Sequence, residues 1–151
     1  MKLRIEYIPR DGVEEIVVRC RTVDENVKRQ CEAIEALIND KPAIVYLKGS
    51  QEFYLPSGDV LFFETDDETV YAHTADDMYK VTYRLYELEE ILPPTFMRVS
   101  KSAVANTERI LSVSHNFQSS SPVQFRHTHK QVYVSRFYFK ALKHKLSQRR
   151  G

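Results

Sequence analysis

Half of the chain's 22 lysines and arginines lie beyond Pro94: Arg98, Lys101, Arg109, Arg126, Lys130, Arg136, Lys140, Lys143, Lys145, Arg149 and Arg150. Glu108 is the single acid among them, so this stretch carries +10, the residues before it −9 and the whole chain +1. Four of the five histidines (His115, His127, His129 and His144) fall in the same stretch. Cations this one-sided suit a polyanion, an acidic protein partner or an acidic membrane surface. The alternative is that the acidic and basic parts neutralise each other within one fold. His127-x-His129 would place two imidazoles on one face of a strand, a metal-binding spacing. A third ligand is missing from the pattern, so no metal site is expected. Nine tyrosines and eight phenylalanines could stack on unpaired bases, but their alternation along strands suits a β core better. Catalytic signatures are lacking: four glycines are too few for a phosphate-cradling loop, and neither Gly-x-Ser-x-Gly nor His-Glu-x-x-His occurs. No enzyme activity and no cofactor are expected.

The elements that must hold the basic residues are mostly strands. Ala43 to Lys48, Glu52 to Leu55, Val60 to Glu64, Val70 to Thr74 and Met78 to Thr82 are β-branched and aromatic runs. They are separated by turn residues such as Gly49-Ser50, Ser57-Gly58-Asp59 and Ala75-Asp76-Asp77. Leu85, Leu88 and Leu92 have helical spacing, ended by Pro93-Pro94. Phe96 to Asn106 opens the basic part. Arg109 to Ser114 reads as a strand, Asn116 to Ser121 as a polar loop, and Val123 to Phe125 with Val132 to Val134 as a hairpin around His127 to Lys130. Ser135 to Leu146 reads as a helix with Phe139, Leu142 and Leu146 on one side, and Gln148 to Gly151 as a frayed end.

The first 41 residues form a separate unit in this reading. Leu3, Ile5 and Tyr7 alternate, Pro9 to Gly12 is turn chemistry, and Ile16, Val18 and Cys20 alternate again, which predicts a hairpin. Thr22 and Glu25 have capping-box spacing, and Val27, Cys31, Ile34 and Ile38 follow at helical intervals until Asn39 to Pro42 ends the helix. This β-β-α unit is too small to bury its own apolar face; dimerisation or sensing is its expected role. Cys20 and Cys31, the only cysteines, match no zinc or redox spacing and are read as reduced, partly buried thiols. No apolar run nears the ~18 residues that span a bilayer, and the charged N-terminus is unlike a signal peptide, so a cytoplasmic protein is expected.

Phe96-Met97-Arg98-Val99-Ser100-Lys101-Ser102-Ala103-Val104-Ala105-Asn106 resembles the central signature of LytTR domains: an aromatic, a basic residue, a polar pair with serine, an apolar run and an asparagine. Val60 to Glu64 resembles the family's strand ending in glutamate, Leu85 to Glu89 its short Leu-Glu helix, and Val134 to Lys140 its closing Ser-Arg-x-Tyr-x-Lys element. The ordered set covers roughly Pro42 to Leu146 and is more specific than any single motif. The resemblance implies an α+β, mainly β fold: a domain of small antiparallel sheets with short helices over residues 42–151, preceded by the β-β-α unit of residues 1–41. It also implies duplex DNA binding through loops that enter the major groove, and a transcription regulator. Residues before Pro42 are too few for a receiver domain, so the chain resembles a stand-alone member.

What the resemblance implies about residues follows from the same segments. Arg98, Lys101, Ser102 and Arg136 become the expected DNA contacts. Arginine forks onto guanine O6 and N7, lysine donates to the same edge, and serine donates to a base or phosphate. The family's third contacting loop corresponds here to Thr65-Asp66-Asp67-Glu68-Thr69, which is acidic and repels phosphates, so Thr69 is its one expected donor. Asn106 is read as tying down a loop or helix end. Lys130, Lys140, Lys143 and Lys145 are candidate phosphate contacts. The expected partners are double-stranded DNA at paired sites, a second copy of the chain and, as often for stand-alone members, a small membrane protein. Two readings compete: a nucleic-acid-processing enzyme using His127 and His129, and an RNA- or protein-binding adaptor using the basic tail.

Overall fold

The computed structural model describes residues 2–38, 43–116 and 118–149. The chain divides into two compact units, Met1–Lys41 and Pro42–Gly151.

In the first unit, helix α1 spans Glu25–Ile38. Its N-cap is Asp24, not Thr22: the Asp24 carboxylate accepts from Val27 N at 2.9 Å, and its carbonyl from Lys28 N at 3.0 Å. This satisfies one of the helix's orphan donors. Gly12 N donates to Pro9 O at 2.9 Å, closing the anticipated turn. The segments on either side of that turn are not assigned as strands. The physical reason is that a lone hairpin is marginal without an apolar cover: Leu3, Ile5, Tyr7, Val13 and Ile16 are all exposed, and α1 has no buried residue. Cys20 is exposed rather than partly buried, Cys31 is half-buried, and both are free thiols. The expected helix stop at Asn39 to Pro42 lies outside the described residues.

The second unit is built on a seven-stranded antiparallel sheet. Its strands are β1 (Tyr46–Lys48), β2 (Gln51–Phe53), β3 (Phe62–Asp66), β4 (Thr69–His73), β5 (Met78–Val81), β6 (Phe96–Ser100) and β7 (Ala103–Asn106), in the spatial order β2-β1-β5-β4-β3-β7-β6. A second sheet of β8 (Ile110–Val113), β9 (Ser121–Phe125) and β10 (Gln131–Val134) has β9 at its centre. Helix α2 (Leu85–Ile91) lies between β5 and β6 in sequence, and α3 (Arg136–Ser147) follows β10. The result is the expected α+β, mainly β architecture. The strands are three to five residues long, and most start or end within two residues of their sequence-based bounds.

The central strands face two ways, because successive side chains of a strand point to opposite faces. Phe63, Val70, Ala72 and Val104 join Tyr46, Leu85, Leu88 and Phe96 in one core, which is capped by α2. Phe62, Ala103 and Ala105 join Leu61, Val99, Ile110, Val123, Phe125, Val134 and Leu142 in the other, between the sheets and α3. Each large side chain buried here contributes about 1.5–3 kcal/mol. Ala103 and Ala105 are small, so the second sheet can approach β7 closely. Phe62 stacks on Phe125 across this core with ring centroids 5.3 Å apart, and on His73 at 4.5 Å.

Polar ties complete the frame. Asn106, 2% exposed, donates from Nδ2 to Val60 O at 3.0 Å and accepts Glu108 N on Oδ1 at 3.2 Å, so its amide holds a strand end and a 3-10 turn. The C-terminal end is tethered rather than frayed as far as Arg149, whose guanidinium donates to the Thr107 and Ile110 carbonyls, each at 2.7 Å. Arg150 and Gly151 lie outside the described residues.

Candidate nucleic-acid interface

Two elements present exposed basic residues near one end of the large sheet, with an acidic hairpin beside them. Lys101 and Ser102 form the turn between β6 and β7, and both are exposed. Beside them runs the β3–β4 hairpin: Thr65 N donates to Ser102 O at 2.8 Å, and Glu64 pairs with Ala103. Ser135, the N-cap of α3, donates its N–H to Val99 O at 2.8 Å. Arg136, the first residue of α3, is therefore held close to the same turn. Lys140 lies one helical turn further on the same face of α3, as the i, i+4 spacing requires. Lys101, Arg136, Lys140 and Lys143 are exposed, and their side chains have no hydrogen-bond or ion-pair partner among the described residues.

The β6–β7 turn is tightly organised. A register shift between Arg98 and Ser100 makes Val99 the extra residue of a β-bulge, a device that bends an edge strand and re-aims its side chains. Ser102 N donates to Ser100 Oγ at 3.1 Å, with the two hydroxyls 3.3 Å apart. Arg98 turns inward: it donates to the Ser100 and Lys101 carbonyls, each at 2.7 Å, and to Glu89 Oε2 at 2.9 Å. Of the residues the motifs bring forward, Arg98 is thus the one whose fork is occupied within the protein.

The β3–β4 hairpin ends in Asp67 and Glu68, both in the left-handed region at φ 50° and 69°. This is the geometry of a two-residue hairpin turn that favours Asn-Gly. Asp66, Asp67 and Glu68 are exposed next to the Lys101 turn, and Thr69 is half-buried at the start of β4. Burial, and then the charge of Asp66, raise the Glu64 carboxyl above its ordinary range. The hairpin tip is therefore a negative border on an otherwise cationic end of the sheet.

Other basic residues are placed differently from one another. Lys130 donates to Asp77 O and lies 3.5 Å from His73 Nδ1. Lys145 donates to Pro94 O. These two ammonium groups join chain segments more than 50 residues apart, which sequence spacing could not reveal. His127 and His129 lie in the β9–β10 turn, His127 with φ 63°, and not on a strand. Strand alternation therefore does not align their rings, and no cluster of three metal-ligating residues exists among the described residues.

One feature had no sequence signal. A hollow of about 150 Å³ beside Arg136 is lined by His115, Asn116, Ser119, Ser121 and Phe139. His115 stacks on Phe139 at 4.7 Å, and Asn116 N donates to Ser121 Oγ at 3.1 Å. The polar loop between β8 and β9 thus sits next to the start of α3, which follows it by 15 residues or more.

A mainly β domain with exposed cations on the β6–β7 turn and along α3 is a frame suited to a polyanion. The chain belongs to the LytTr DNA-binding domain family, whose model matches residues 50–147. Its fold is similar to that of the LytTr DNA-binding domain of a Bacillus cereus protein, with a TM-score of 0.61 and 24% identity over 72% of this chain and 99% of that one. Over 97% of its length it is 28% identical to an uncharacterized HTH-type transcriptional regulator of Staphylococcus aureus strain NCTC 8325 / PS 47, covering 99% of that protein. A counterpart from strain MRSA252 is 26% identical over the same shares. Helix-turn-helix names those relatives; in this chain, strands separate each described helix from the next. No described helix is long and apolar enough to cross a membrane.

Proposed function

We propose that this DNA-binding protein is a cytoplasmic, sequence-specific transcription regulator that occupies paired duplex sites as a homodimer and performs no catalysis. The observation that carries the reading is the convergence of Lys101, Ser102 and Arg136 through the Thr65–Ser102 and Ser135–Val99 backbone hydrogen bonds. An exposed turn and a helix start that carry unpaired cations are suited to the edges of base pairs, where lysine and arginine donate to guanine. Ser102 and Thr69 supply hydroxyl donors at the margin. Lys140, exposed one turn beyond Arg136 on α3, takes a phosphate contact in this reading, which adds affinity and salt dependence without sequence preference.

The unit of residues 1–41 takes dimerisation or sensing in this reading. Two facts support it. Leu3 and Tyr7 are 92% and 99% exposed, and α1 carries a half-buried apolar row with no buried member. The staphylococcal regulators align with 97% of the chain, a share that includes most of this unit. A small membrane protein is a further candidate partner.

The test is selection from a randomised duplex pool, at two salt concentrations, with wild type, Lys101→Ala and Arg136→Ala. A paired motif should emerge, and each variant should lose about 1–3 kcal/mol of discrimination at particular base pairs. A pool that stays random, with variants binding like wild type, would overturn the reading and redirect attention to RNA and protein partners.

A further inference from the structure

We infer that Arg98, braced by Glu89 of α2, is a positioning residue: it sets the Lys101–Ser102 turn for base reading without itself touching DNA. The inference rests on the proposed role of Lys101 and adds to it how the contact is held.

Arg98 has one rigid, planar group and uses it three ways. Nε reaches the Ser100 carbonyl, one terminal nitrogen the Lys101 carbonyl, and the other Glu89 Oε2, at 2.7, 2.7 and 2.9 Å. Its side chain is only 21% exposed. A fork so engaged cannot also present paired donors to a guanine edge without giving up the turn it holds.

The turn needs such a brace. It sits on an edge strand, directly after a bulge, and contains no glycine. Three successive carbonyls have partners outside the strand ladder: Val99 O accepts from the α3 N-cap, and Ser100 O and Lys101 O accept from the Arg98 side chain. The same three-residue segment therefore fixes the starts of two DNA-facing elements relative to each other. Glu89 anchors the guanidinium to α2, whose Leu85 and Leu88 are buried in the first core. Rigid support behind a reading side chain matters because displacement of a contact by a fraction of an ångström spoils its geometry. Lysine would not substitute, since a single ammonium lacks the planar fork that serves two carbonyls and a carboxylate together.

The experiment combines two measurements on the full chain. Backbone amide exchange in the free protein compares wild type, Arg98→Lys and Glu89→Gln. Binding to the selected duplex and to a scrambled duplex compares Arg98→Lys, Lys101→Ala and the double variant across a salt series. Faster exchange at Ser102 and Ala103 is expected in Arg98→Lys, and a smaller increase in Glu89→Gln, with global melting little changed. Arg98→Lys should weaken specific binding about tenfold and scrambled binding less than about twofold. The double variant should bind no worse than about twofold below Lys101→Ala, because coupled residues are non-additive. Unchanged exchange at the turn overturns the brace. Fold-losses that multiply show Arg98 reading DNA on its own account, and overturn the positioning role. If Lys101→Ala keeps full base preference, the proposed contact fails, and with it the functional half of this inference, while exchange still reports separately on whether the brace exists.

Discussion

Acid should destabilise this domain through one imidazole. His73 on β4 is stacked on Phe62 at 4.5 Å with ring planes 15° apart, and Lys130 Nζ lies 3.5 Å from its Nδ1. Burial, and then the Lys130 charge, lower its pKa from 6.5 to about 4. The folded ring therefore stays neutral where the unfolded ring would take a proton. With a depressed folded pKa, the unfolded state binds more protons as pH falls below about 6.5, and stability is lost progressively down to about pH 4. Between pH 7 and pH 5 the full shift corresponds to roughly 2 kcal/mol. The ring is only partly buried, so solvent screening reduces the expected loss to about 1 kcal/mol. The perturbation that isolates it is His73→Phe, which keeps the stack on Phe62 and removes the titration. Urea unfolding of both proteins at pH 7, 6 and 5 reads the difference, because the remaining histidines and carboxylates cancel in the comparison. Wild type should lose about 1 kcal/mol more than the variant over that range, about 4 °C in melting temperature. Parallel losses would refute the reasoning: His73 would then be protonated in the folded state, with Lys130 displaced.

Two further perturbations address the frame and the hairpin tip. Asn106→Ala leaves the buried Val60 carbonyl without its side-chain donor and releases Glu108 N, so chemical denaturation should show a loss of about 2–3 kcal/mol; a neutral result would mean that the amide does not support the fold. Glu68→Gly relieves a left-handed non-glycine residue and removes a negative charge beside Lys101. It should raise stability by about 1 kcal/mol and strengthen scrambled-duplex binding at low salt, read by melting and by titration with labelled DNA.

Some of the site was legible from residue types alone. Runs of β-branched and aromatic residues between turn residues located the strands of residues 43–151, because alternation and turn chemistry are local properties of the chain. The Leu85, Leu88 and Leu92 spacing likewise located α2. The ordered motifs pointed to Lys101 and Arg136, and the charge asymmetry marked the half of the chain that carries them. Asn106 was read as a structural amide, and its bonds to Val60 and Glu108 are of that kind.

Local pattern failed where a partner distant in sequence decides the outcome. Alternation at Leu3 to Tyr7 and Ile16 to Cys20 suggested strands, but a ladder needs a cover for its apolar face, and none is supplied within residues 2–38. Asp24 took the cap that spacing had assigned to Thr22, since backbone entry into the helix settles which side chain reaches the free N–H groups. Arg98, Lys130 and Lys145 look alike as surface cations in a sequence. Only the packed sheets decide that all three spend their donors inside the protein, while Lys101 and Arg136 keep theirs for solvent. Sequence determines which residues carry charge and which strands can form. Tertiary packing decides which charges remain free, because it alone brings carbonyl and carboxylate acceptors from elsewhere in the chain within hydrogen-bonding reach.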